Sequence, residues 1–147
     1  MRRFRFSLDK LHKLREQDEK EAELALARVN AALQEVEAEL RSLAEREYHA
    51  RSERYAGSVA DMLRSQHYLL RLGNERDECL ERVTKTSMEL EEKREAWIKA
   101  RAETQALEKL RDRKKTEHRK ATLAAEESAS DEISNSRSSS RAASRNQ

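Results

Sequence analysis

Apolar residues in the first third of the chain recur in alternating steps of three and four: Ala22, Leu26, Val29, Leu33, Val36, Leu40 and Leu43. Ala50 and Gly57 continue the phase through Glu47 and Arg54. This is a heptad seam, with Leu26, Leu33 and Leu40 on one core position and Val29, Val36 and Leu43 on the other. Upstream, Phe4, Leu8, Leu11 and Leu14 extend an apolar face in a slightly different register, with Ser7 as the expected N-cap. A looser seam follows. Met62, Leu69, Val83, Leu90 and Trp97 share one seven-residue grid, broken by Arg76. Leu72, Cys79, Thr86, Ala100, Leu107 and Ala121 share its companion, with Lys93 and Lys114 as exceptions. Two seams on one chain predict an all-α fold, an antiparallel two-helix coiled-coil hairpin.

The place of the turn follows from helix-breaking chemistry. Proline is absent, and glycine occurs only at Gly57 and Gly73. Gly57 suits the left-handed position that ends a helix, and Ser58 or Asp61 can cap the next one. Gly73-Asn74 is the rival turn, but Leu69, Leu72, Cys79 and Val83 carry a seam across it. The expected elements are helix 1 over about 7–56, a turn at 57–58 and helix 2 over about 59–133. The hairpin domain is then 1–133. Residues 134–147, rich in Ser and Arg and without periodicity, are expected to form a disordered tail. Facing residues should have numbers summing to about 116, by symmetry about that turn.

Composition limits what such a rod does. Apolar residues make up 36% of the chain and charged residues 41%, too few apolar groups for a thick core. The net charge is only +2, but it is unevenly placed. Residues 1–15 hold Arg2, Arg3, Arg5, Lys10, Lys13 and Arg15 against Asp9 alone. Residues 109–120 hold seven basic side chains against Asp112 and Glu117. The hairpin register sets these two clusters together at one cationic end, suited to docking a partner. The helix macrodipole accounts for part of the second cluster but not for the first, which lies at the wrong end of its helix.

Little else in the chain carries chemistry. His12, His49, His67 and His118 have no mutual i, i+3 or i+4 spacing, and Cys79 is the single cysteine. No metal site, cofactor or internal disulfide is expected. There is no glycine-rich phosphate loop, and a two-helix rod has no concave site, so an enzyme is not expected. A basic-zipper reading fails because Glu16, Asp18, Glu19, Glu21 and Glu23 interrupt the would-be reading helix. Nucleic acid is therefore not an expected partner. The opening Met1-Arg2-Arg3-Phe4-Arg5-Phe6 lacks the apolar stretch of a secretory signal, and no segment is apolar enough to span a membrane. A cytoplasmic location is expected.

Two strings carry a resemblance. One is Phe4-Arg5-Phe6-Ser7-Leu8-Asp9-Lys10-Leu11-His12-Lys13-Leu14-Arg15. The other is Ala96-Trp97, then Leu107-Glu108-Lys109-Leu110-Arg111-Asp112-Arg113, Ala124-Ala125-Glu126-Glu127 and Asp131-Glu132-Ile133. Over residues 4–133 the chain resembles the flagellar export protein family FliJ, with its relatives in injectisomes, the YscO group. The resemblance implies a coiled coil similar to the central stalk of rotary ATPases, docked in the hexameric export ATPase and linked to the membrane-embedded export gate. It also implies export chaperones as partners and a peripheral association with the inner membrane through the export apparatus.

On this resemblance the ATPase-facing residues are Arg5, Lys10, Lys13, Leu110, Arg113 and Lys114, and the gate-facing ones Tyr68, Leu69 and Leu72. Tyr68, Leu69, Leu70 and Leu72 also crowd more apolar surface than one seam requires. Tyr68 and Leu70 are thus either partly exposed to a partner or part of a locally wide core. Trp97 is either a core residue or a partner hot spot. The alternative to a stalk is a generic self-associating coiled-coil scaffold without an ATPase partner.

Overall fold

The computed structural model describes residues 2–53 and 57–146. It contains two α-helices, α1 over Asp9–Ser52 and α2 over Val59–Arg145, and no strand among the described residues. The expected last turn of the first helix, through residue 56, and seam position Arg54 lie outside the described residues.

The chain divides into two compact units: residues 17–101, and a second unit made of residues 1–16 with 102–147. In the first unit α1 and α2 run antiparallel. The Cys79 thiol donates to the Val36 carbonyl at 3.4 Å, and Arg76 places two 2.9 Å hydrogen bonds on the Glu47 carboxylate. Leu43, Leu72 and Cys79 are buried, with Val36, Leu40 and Ala50 packed against them. Each of these is a seam position, and so is every partly buried residue of α1 from Ala22 to Ala50 apart from Ala25 and Ser42. The heptad seam thus lines α1 through this unit, whereas on α2 the seam position Met62 is 45% exposed.

Charge inside the seam is accommodated rather than excluded. Glu47 accepts from Arg51 one turn along α1 at 2.7 Å as well as from Arg76 across the pair. That satisfies a largely buried carboxylate, which would otherwise cost several kcal/mol, on the order of the penalty for an unpaired buried charge. Further along, Arg82 meets Glu39 at 2.8 Å. Hydrogen bonding to Glu39, then its charge, raise the Arg82 pKa above its ordinary value. The guanidinium is charged at any working pH, so this pair adds no pH dependence.

In the second unit the two helices are again antiparallel. Thr104 donates to the Arg15 carbonyl at 3.1 Å, Arg15 pairs with Glu103 at 3.0 Å, and Phe4 lies 5.5 Å from the His118 ring. The register expected from a sum of 116 is corrected by about one helical turn at Arg15, which faces Thr104, and by more than one turn at Phe4, which faces His118.

Three local expectations change. The apolar face Leu8, Leu11 and Leu14 is 36%, 37% and 52% exposed, while His12 is buried. The downstream heptad carries straight through Glu19 and Arg15 to His12, so it is His12 and not Leu11 or Leu14 that takes the buried position. Ser7 is not the first cap: a Phe6–Asp9 turn closes at 3.1 Å, and the Leu8 carbonyl accepts the first helical bond, from His12 at 2.8 Å. Gly57 has no positive φ, so it is not a left-handed terminator.

Glycine is favoured at 57 because a Cβ there would collide with the Asp61 carboxylate. That carboxylate folds back to accept from the Ser58 amide at 3.2 Å, while the Asp61 amide donates to the Ser58 hydroxyl at 3.4 Å. This reciprocal capping box starts α2. Gly73 lies within the helix with open space around it.

The expected disordered tail is helical instead, since α2 runs to Arg145. From Leu123 onward every described residue is exposed, so no packing holds this stretch. Its helix follows from local terms: no Gly or Pro, frequent Ala, and Arg141 and Arg145 beside the negative end of the macrodipole.

Candidate partner-binding site

The unit formed by residues 1–16 and 102–147 gathers the positive charge. An open groove there is edged by Arg2, Arg3, Phe4, Arg5, Lys114 and His118, and an adjoining one by Phe6, Asp9 and Arg111 together with Phe4 and Arg5. Arg5 and Lys114, distant in sequence, thus border one concave surface. The Phe4 ring against His118 anchors the chain before α1 and holds this edge in place.

Of the other residues expected to dock, Lys10, Lys13 and Arg113 are exposed, and Leu110 is half-buried. Lys13 reaches Asp9 at 3.4 Å, and Lys114 reaches Glu117 at 3.4 Å. Both are exposed pairs one turn apart on a single helix, worth at most a few tenths of a kcal/mol, about 0.3–0.5 each. A partner carboxylate could displace either at little cost.

The patch expected on α2 splits between surface and core. Leu72 is 2% exposed and belongs to the seam, with Leu69 half-buried beside it. Tyr68 and Leu70 face outward, Leu70 at 64% exposure. With Arg64, His67, Arg71 and Asn74 they edge a shallow groove, and the Arg71 guanidinium lies 5.5 Å from the Tyr68 ring centroid. Tyr68 and Leu70 are thus the members of the patch that a partner can reach. Trp97 occupies its seam position half-buried, its indole nitrogen buried without a hydrogen-bond partner, and Arg101 stacks 5.2 Å from its ring.

One cluster had no signal in the spacing of the histidines alone. His12, buried on α1, has the carboxylates of Glu16 and Glu108 at 3.5 and 3.8 Å from its Nε2. Extending the Ala22 heptad upstream would have placed His12 in the seam. The Glu at i+4 was also visible, but its partner on α2 needed the observed register. The arrangement holds no nucleophile and base within hydrogen-bond reach of one another, and it offers binding rather than covalent chemistry.

Among the described residues no helix is long and apolar enough to cross a membrane. No curated protein and no solved structure matches the chain. Compared with known families, the sequence matches the one described as Flagellar FliJ protein over residues 4–143. That span takes in both terminal strings and both seams, and the chain belongs to the FliJ family.

Proposed function

We infer that the chain is a stalk-like coupling component of the flagellar type III export apparatus. It would bind the export ATPase ring through its cationic unit and the export gate through the outward groove on α2. Family membership implies the export-related role; the partners, the chaperone contacts and the peripheral membrane association are this reading's own. The observation that carries it is the shared groove of Arg2, Arg3, Arg5 and Lys114, contributed by both ends of the helical region. Such a surface favours an acidic protein partner and speeds its encounter.

Within this reading Arg5, Lys10, Lys13, Leu110, Arg113 and Lys114 form the ring contact. Tyr68 and Leu70, flanked by Leu69 and with Leu72 supporting them from the core, form the gate contact. The protein itself performs no catalysis; it acts by binding. The test is turnover and hexamer assembly of the cognate export ATPase with and without this protein. Stimulation and co-elution are expected. Arg5→Glu, Lys10→Glu, Arg113→Glu and Lys114→Glu combined should abolish both while far-UV circular dichroism stays nearly unchanged. Unaltered co-elution of that variant would remove the cationic surface from the argument.

A second reading, a self-associating scaffold, draws on exposed Leu8, Leu11 and Leu14. An apolar strip of this kind is a common oligomer contact. It expects a multiple of the chain mass in light scattering, lost on Leu11→Glu, with no effect on the ATPase.

A further inference from the structure

His12 is 3% exposed, and its Nε2 makes no hydrogen bond. Buried polar atoms are nearly always satisfied, so an orphaned imidazole nitrogen calls for a partner. The carboxylate oxygens of Glu16 and Glu108, at 3.5 and 3.8 Å, are too distant to serve as hydrogen-bond acceptors. The three ligand atoms nevertheless lie within 4.8 Å of one another. A tetrahedral ion with bonds of about 2.0–2.1 Å holds its ligand atoms about 3.4 Å apart, close to the 3.5 and 3.8 Å that separate Nε2 from the two carboxylates.

We propose that His12 Nε2, Glu16 and Glu108 bind one divalent transition-metal ion of the zinc type, joining the start of α1 to α2 within their unit. The donor set argues for this class. An imidazole suits zinc and its neighbours, whereas calcium and magnesium take oxygen ligands alone. Two carboxylates balance the ion's two charges. The helix supplies His12 and Glu16 on one face at i, i+4, and the facing helix supplies Glu108.

Both carboxylates are about half exposed, which provides an entry path, a water for the fourth position and freedom to close the last few tenths of an ångström. The register is fixed independently one turn away, by the Thr104 hydroxyl on the Arg15 carbonyl and by the Arg15–Glu103 pair. The ion acts as a structural clamp there, and the proposal does not depend on the export reading.

The test uses the full chain, freed of metal by a chelator and titrated with zinc sulfate. One ion per chain is expected by calorimetry, with a rise in melting temperature that the chelator reverses. Cobalt(II) in place of zinc should show the visible absorption of a low-coordinate site. Glu108→Gln, at a half-exposed position, should keep its helicity. It should bind zinc more weakly by at least the roughly tenfold that even an outer-sphere loss costs, and should lose the thermal shift. His12→Gln should abolish the cobalt band. Absence of zinc binding, binding unchanged in Glu108→Gln, or an ion shared between two chains in light scattering overturns the proposal.

Discussion

The two compact units use the same pair of helices but close them with different chemistry. In residues 17–101 the buried positions include Leu43, Leu72 and Cys79, and the charge that enters is held by paired arginines on Glu47. In residues 1–16 and 102–147 the buried positions are His12 and Thr104, held by a hydroxyl–carbonyl bond, a cross-helix ion pair and an aromatic edge. Apolar packing is non-directional and accumulates with area. Polar closure is directional and fixes register for little net stability. The unit carrying the cationic groove is therefore the more weakly closed of the two, and the more open to adjustment by whatever binds it.

Substitutions ordered by expected effect probe that contrast. Leu72→Ala should cost about 2–3 kcal/mol, near the lower end for buried leucines because a thin pair can relax into the space. Urea unfolding followed by circular dichroism measures it. A cost under about 1 kcal/mol would mean that the apolar seam is not what holds the larger unit.

Glu47→Gln keeps the shape but weakens the bonds to Arg51 and Arg76, and should cost about 1–2 kcal/mol. A double-mutant cycle with Arg76→Ala isolates the cross-helix share, and zero coupling would reduce that pair to a surface contact. Ser58→Ala, which removes half of the capping box, should cost about 1 kcal/mol.

Thr104→Val, isosteric and buried, should cost about 1 kcal/mol or less and should raise amide exchange mainly near Arg15. A loss as large as that of Leu72→Ala would erase the contrast between the units. Smallest of all, Ser138→Pro should lower helicity without moving the unfolding midpoint, because nothing packs on that stretch.

What could be read from the sequence divides along the same line. The seam from Ala22 to Ala50 and its partner from Leu69 to Leu107 follow from periodicity, because burial of apolar area dictates it. Leu8, Leu11 and Leu14 misled because a three-or-four spacing says that a face exists, not which side the partner takes. There the heptad phase set downstream outweighed local hydrophobicity and buried His12 instead. The approach of Glu108 to His12 depends on a register shift of about one turn that no local pattern encodes. The tail was misjudged because absence of periodicity argues against packing, whereas its helix rests on propensity alone. The hairpin register set Arg5 and Lys114 near one another, and they border one groove, but spacing could not separate outward Leu70 from inward Leu72.

Cys79 is fully buried, and its thiol is bonded to the Val36 carbonyl on the opposite helix. A thiol reagent can reach that sulfur only when the helices part. Its labelling rate is thus a clock for transient separation of the pair, read from a residue the chain already carries. If a partner grips this helix pair, the clock should slow; if a partner pries the helices apart, it should run fast.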